Sequence, residues 1–239
     1  MTTLVVGASG ATGRLVVEQL LAAGESVRVI VRVVPAFSEE TQKHPNLHVT
    51  QANLLEMTDA QLQAHVSGCS AVVSCLGHNL TFKGLLGQPR RLVTDAVRRL
   101  CQAIEHQSLG APIKFVLMNT TGNQNKGAGE TISGKEACVM SVLRCLLPPH
   151  VDNEQAAAFL QNEVGHSSKA IQWVVVRPDG LIDEQAVSPY KIYPSPIRSA
   201  IFDAGKTSRI NVAHFISQLV LNDELCAQWQ EKMPVIYNV

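Results

Sequence analysis

The chain of 239 residues lacks most features that would tie it to a polymer, a membrane or a metal. Its charges balance, with 20 Lys and Arg against 20 Asp and Glu, so no excess exists to hold a nucleic-acid backbone or an anionic lipid surface. Arg90–Arg91 and Arg98–Arg99 are isolated pairs, too short to make a basic arm. No apolar run reaches about 18 residues, the length of a membrane span. No charged leader with a cleavage site precedes the first apolar run. Six cysteines (Cys69, Cys75, Cys101, Cys138, Cys145, Cys226) are scattered without C-x-x-C or zinc-like spacing. That usage predicts buried thiols in a reduced, cytoplasmic protein without a metal site. Repeats and low-complexity tracts are absent. What these absences leave is a small-molecule partner, with no nucleic acid and no membrane, for a monomer or homodimer.

What is present is alternation. An apolar fraction of 46% supplies one core, and a single domain over 1–239 is expected. Strand-like runs fall at Thr3–Gly7, Ser26–Arg32, Leu47–Ala52, Ser70–Gly77, Ile113–Thr120 and Ile171–Pro178, with a last one in "PVIYNV". Between them the spacing predicts helices over Thr12–Ala23, Arg91–His106, Lys135–His150 and Asn153–Val164. A short helix follows Thr58 as N-cap, and a last one, Val212–Leu221, is opened by Asn211. Apolar, β-branched strands alternating with helices imply an α/β fold, a doubly wound parallel sheet of Rossmann type. Ligands of such sheets bind at the carboxyl ends of the strands, so the residues just after each strand are the candidates. His78–Pro89 and Thr121–His150 do not fit the simple alternation.

The first strand end reads "VVGASGATGR", with Gly7, Gly10 and Gly13 at regular spacing. A tight turn free of Cβ atoms, opening onto a helix N-terminus, is a seat for a dinucleotide pyrophosphate. Ser9, Ala11 and Thr12 complete the turn, and the two hydroxyls are extra donors. An NAD-type site places an acid about 20 residues further on. Here the second strand ends instead on Arg32, and the next acid is Glu39. A carboxylate repels a 2′-phosphate and a guanidinium grips it, so the reading is NADP(H), with Arg14 as a second cation for that phosphate or the adenine face. Later strand ends extend the site: Asn53 and Leu54 for adenine, Leu76 and Gly77 for a ribose, Asn119 and Thr120 for the nicotinamide, Pro178 for the crevice mouth.

"VVGASGATG", "VRVIVR", "VVSCLG", "FVLMNTTG", "VVVRPDGLID" and "KTSRINVAHFISQLV" together resemble the atypical short-chain dehydrogenase/reductase group. This NAD(P)H-binding set includes NmrA-like proteins, flavin or biliverdin-IXβ reductases and related quinone reductases. The resemblance runs along nearly the whole chain and implies a small C-terminal portion covering the substrate, over residues 179–208.

Standard members of the wider family carry a Tyr-x-x-x-Lys pair on the helix after the fifth strand. The corresponding "VDNEQAAAFLQNEV" has neither residue. Reduction of an ordinary ketone is thereby disfavoured. Hydride transfer to a flavin, a quinone or a similar conjugated acceptor needs stacking and orientation, and solvent can supply the proton. Thr120 and Thr121 are the candidate catalytic hydroxyls. His78, Phe82 and Tyr190 are candidate substrate residues, with Thr81 and Lys83 beside Phe82, and His150 is a further proton donor. The alternative is a non-catalytic, NADP(H)-sensing regulator of NmrA type that binds a protein partner.

Overall fold

The computed structural model describes residues 1–34, 37–78, 87–107, 110–166 and 168–239. The first apolar run forms β1 (Thr2–Val6), and the glycine turn leads into α1 (Ala11–Ala22). Then come β2 (Ser26–Val31), α2 (Glu39–Gln42), β3 (Leu47–Gln51), α3 (Asp59–Val66) and β4 (Ala71–Ser74). The middle of the chain holds α4 (Leu92–Glu105), β5 (Ile113–Met118), α5 (Gly134–Leu146), α6 (Pro148–Phe159) and β6 (Ile171–Pro178). The last part comprises β7 (Gly180–Ile182), β8 (Tyr190–Tyr193), β9 (Lys206–Ser208), α7 (Arg209–Leu221), α8 (Asp223–Trp229) and β10 (Val235–Asn238).

The main sheet has eight strands in the order β3-β2-β1-β4-β5-β6-β10-β8. All its neighbours pair in parallel except β8, which runs antiparallel to β10. It is the doubly wound α/β sheet that the alternation implies. Helices α1 and α7 pack together on one face, and α3, α4 and α6 cover the other. The central strands are buried on both sides, which is why β4 reads Ala-Val-Val-Ser and β6 carries Trp173 and three successive valines. The chain leaves β1 for β2 on one side and later returns to β4 on the other. The crevice of a doubly wound sheet therefore opens above β1. Residues 179–208 contain β8 and the small parallel pair of β7 with β9. Among the described residues no helix is long and apolar enough to cross a membrane.

Three helix boundaries differ from the sequence expectation. The helix expected over Lys135–His150 ends at Leu146, and the next begins at Pro148 rather than Asn153. A proline has no N–H to lose in a first turn, so Pro148 opens α6 instead of merely ending α5. The last α-helical turn of α6 passes into a π-turn over Leu160–Val164. Helix α7 starts at Arg209, with Ser208 and not Asn211 as its cap. Asn211 is buried, and its amide joins Ser188 to Asn238. Thr58 does cap α3, in a full capping box with Gln61.

Candidate functional site

The glycine turn is governed by backbone contacts. Gly7 has φ of +79°, and a Cβ there would lie 2.4 Å from the carbonyl carbon of Cys75. Gly13 would place a Cβ 2.3 Å from the Gly7 oxygen. These two glycines let β1, α1 and the end of β4 touch. Gly10 differs: it is exposed, and its Cβ would meet only the Gly7 oxygen, at 3.2 Å. No side chain caps the start of α1, and no acid sits in its first turn. The helix thus presents free N–H groups and a partial positive charge.

That end opens on a cleft of about 550 Å³, lined by Gly7, Ser9, Gly10, Arg32, Leu54 and Gly77 among others. Asn53, Leu76 and Cys75 also line it, so residues that follow β1, β2, β3 and β4 meet in one place. Arg32 is exposed there, and its guanidinium has no carboxylate partner among the described residues. Asn53 is engaged in its own turn, accepting from Leu55 N at 3.3 Å and donating to Glu56 at 2.7 Å. One N–H of its amide and one lone pair of its oxygen remain for an adenine contact. Ala11 is exposed at the helix start, Thr12 is buried and Arg14 is half-buried one turn in. Burial pushes the Cys75 thiol up to about 12, so this cysteine is a wall and not a nucleophile. The open helix end, the bare Gly10 and the unpaired Arg32 fit a phosphate-rich dinucleotide.

At the ends of β5 and β6 the polar residues are largely spoken for. Asn119 is buried, donates to Asn153 O at 2.9 Å and accepts from Thr120 N at 2.9 Å, so it fastens β5 to α6. The amide keeps one N–H and one lone pair, but the side chain is only 7% exposed and does not line the cleft. Thr120 is half-buried, and its hydroxyl accepts from Gly122 N at 3.3 Å. Thr121 N donates to Pro178 O at 3.0 Å, and its hydroxyl donates to Asp179 at 3.1 Å. Asp179 also accepts from the backbone of Gly205 and Gly180. Burial pushes its carboxyl up, against the pull of these donors.

The other candidates are placed differently from expectation. His78 is held by Asp152, with Nε2 at 2.7 Å from Oδ2, and Asp152 in turn accepts from Val93 N and Thr94 N at the start of α4. His150 Nε2 lies 3.4 Å from Glu154 Oε1, without an aligned hydrogen bond. Tyr190 turns onto α7, its hydroxyl 2.7 Å from His214 Nδ1, on the sheet face opposite α4 and α6. It does not reach the crevice as expected, because β8 pairs antiparallel with β10 and packs this ring toward α7. Phe82, with Thr81 and Lys83, lies outside the described residues.

A second cavity of about 490 Å³ adjoins the strand ends, with Thr121 and Gly122 on its inner wall. Its far walls come from α5, with Glu136, Met140 and Arg144, and from the 195–200 segment. Its base rests on a residue that sequence reasoning missed. Arg177 in β6 has 0% exposure and forks onto Glu130 at 2.6 and 2.9 Å. The same guanidinium donates to Met233 O and Asn123 O. It anchors the long segment after β5. Only an arginine inside an otherwise apolar strand, "WVVVRP", hinted at this.

Comparison with known proteins agrees with this geometry. Residues 7–223 match a family model described as NAD(P)H-binding. An uncharacterized chloroplastic protein of Arabidopsis thaliana is 24% identical over 220 residues, 92% of this chain and 72% of that protein. A structure described as a candidate NADH-flavin reductase from Streptococcus pneumoniae superposes with a TM-score of 0.70 at 15% identity, covering 100% of both chains. A short-chain dehydrogenase/reductase from Veillonella parvula, solved in complex with NADP, gives 0.68 at 14% identity, over 99% of this chain and 94% of that one. At such identities the solved structures speak to the fold. The family model spans far more than half the chain, the glycine turn and open cleft agree with it, and the protein belongs to the NAD(P)H-binding family.

Proposed function

We propose that the protein is an NADPH-dependent reductase that passes hydride to a flavin, a quinone or a similar conjugated acceptor. The observation that carries this reading is the pairing of two cavities at one end of the sheet. The cofactor cleft lies over the carboxyl ends of β1 to β4, and the second cavity opens beside Thr121 and Gly122, just past the carboxyl end of β5. Bound nicotinamide supplies a hydride, two electrons with one proton, and solvent completes the reduction with a second proton. The chain holds the pyrophosphate at Gly10 and the first-turn N–H groups of α1, and the 2′-phosphate at Arg32. Leu54 and Leu76 cover the rings. Thr120 and the Pro178 backbone border the acceptor, and Thr121 fixes that border by bonding Asp179.

The names of the structural neighbours do not choose between cofactors, since one is named for NADH and another was solved with NADP. Arg32 favours NADPH. No tyrosine stands in α5 or α6, which fits an acceptor that needs no phenolic acid. A sensor of cofactor ratio needs no acceptor cavity, so the cavity favours turnover over the regulator reading. Dispersed free thiols suit a reduced compartment such as the cytoplasm, although only three of the six are buried and Cys138 and Cys145 are exposed, against the expectation of buried thiols.

The test is NADPH oxidation followed at the nicotinamide absorbance band with FMN or menadione as acceptor. Turnover that disappears in Gly10→Asp supports the enzyme. Tight NADP(H) binding with no turnover on either acceptor refutes it and leaves the sensor.

A further inference from the structure

This inference rests on the proposed reading and concerns its acceptor. Helix α5 starts with Ser133-Gly134-Lys135-Glu136, a spacing in which the glutamate usually folds back onto the serine N–H. Here only half of that box closes. Ser133 Oγ accepts from Glu136 N at 3.2 Å, while the Glu136 carboxyl has no hydrogen bond or ion pair among the described residues. Even so, the residue is only 7% exposed, and it lines the second cavity beside Met140, Ile132 and Ile197. The other charged groups of that cavity are matched: Glu130 with Arg177, Arg144 with Glu154, Arg198 with Asp203.

The Glu136 carboxyl oxygens are not sealed from solvent: they open onto the cavity, where a ligand donor would make a charge-assisted bond. The geometry points to Glu136 as the residue that selects acceptors by an N–H on the edge of their conjugated ring. A flavin carries such a group, the imide N–H between the two carbonyls of its isoalloxazine. A quinone presents carbonyl oxygens alone and gives the Glu136 oxygens nothing to accept. Glu136 is thus a specificity residue that favours flavin-like heterocycles over quinones, acting on binding and not on hydride transfer.

The test uses riboflavin, its N3-methyl derivative and menadione with the wild type, Glu136→Ala and Glu136→Gln. Binding is read from quenching of flavin fluorescence without NADPH, and reduction from NADPH oxidation. The wild type is expected to bind riboflavin about 10- to 100-fold more tightly than the methylated form. In Glu136→Ala that preference falls to within about 3-fold, through weaker riboflavin binding, and Glu136→Gln, which keeps one acceptor oxygen, lies between. Menadione, which offers no N–H, is affected less than riboflavin by either substitution. A wild type that binds no riboflavin, or does not distinguish the two flavins, overturns the assignment. So does a preference that survives in Glu136→Ala, or one that collapses because the methylated form binds better, which marks a steric wall. Discrimination in binding with no reduction of any acceptor sinks the reductase reading and leaves Glu136 standing. Reduction of both flavins without discrimination does the reverse.

Discussion

Asp152 ties the cofactor cleft to the helical layer beneath it, and its replacement by asparagine is a sharp test of that tie. The residue is 1% exposed. Its Oδ2 accepts from Val93 N at 2.8 Å and His78 Nε2 at 2.7 Å, and its Oδ1 accepts from Thr94 N at 2.9 Å. It thereby caps α4, whose preceding residue Arg91 offers no side-chain cap. Through His78 it also holds the loop that brings Leu76 and Gly77 to the cleft. An asparagine in its place would keep the size and lose one acceptor. With the amide oxygen at the Oδ2 position, the NH₂ faces Thr94 N–H; flipped, it faces Val93 N–H and His78. In both cases a buried donor meets a donor, and the surviving bonds lose the assistance of charge.

Loss of a helix cap costs about 0.5–2 kcal/mol and an unsatisfied buried donor about 1–3 kcal/mol, so Asp152→Asn is expected to cost about 2–4 kcal/mol. For a domain of this size that lowers Tm by about 5–15 °C. Urea unfolding followed by circular dichroism gives the free energy, and nicotinamide fluorescence gives the Kd for NADPH, which should rise several-fold as the loop loosens. His78→Gln keeps a donor toward Asp152 and should cost less than about 1 kcal/mol. A loss below about 1 kcal/mol in Asp152→Asn would refute the capping argument. Equal losses in the two variants would put the energy in the His78 contact instead.

Four further outcomes are expected. Gly7→Ala forces a Cβ to within 2.4 Å of the Cys75 backbone at a φ of +79°, so little folded protein and no NADPH binding should be recovered, as soluble yield and fluorescence will show. Arg32→Asp should weaken NADPH about 10- to 100-fold while sparing NADH, and unchanged NADPH affinity in a titration would remove the 2′-phosphate assignment. Glu130→Gln leaves the fully buried Arg177 without its counter-charge and should cost about 3–5 kcal/mol in urea unfolding, whereas Glu130→Gln with Arg177→Met should cost less than the single change. Burial pushes the Glu154 carboxyl up, but the contact with His150 and the fork of Arg144 outweigh it and hold it at about 2, below its ordinary 4.5. The stability gained there is present above pH 4.5 and is lost as pH falls toward 2. The gap between wild type and Arg144→Gln should therefore close across that window, and a gap constant with pH would refute it.

The strands were legible because a buried parallel strand needs a run of apolar, β-branched residues, and that run is a local property. The glycine turn was legible for a related reason: Gly7 and Gly13 answer backbone crowding within a few residues of themselves and at the neighbouring strand end. What stayed hidden depends on partners far along the chain. Nothing near Asp152 announces that it caps a helix 58 residues earlier. Nothing near Asn119 says that its amide bonds to α6. Tyr190 looked free to reach a substrate because the pairing of β8 with β10, which turns it onto His214, has no signature in "SPYKIYP".

These hidden pairings bear on function in one direction. Asn119, His78 and Tyr190 are chemically apt groups that stand in or near the right segments, and each is committed to holding one element against another. The polar pairing of the strand-end region goes into rigidity: Arg177 with Glu130, Asp152 with the start of α4, Asp179 with Thr121 and Gly205. A site built this way offers few free acids or bases and two well-shaped cavities. Such a site suits a reaction in which two flat rings need only be held in register, and it leaves the choice of the second ring to the few polar groups still unpaired. Arg32 in the first cavity and Glu136 in the second are the charged groups without a charged partner among the described residues of the two cavities, which is why both selectivity tests fall on them.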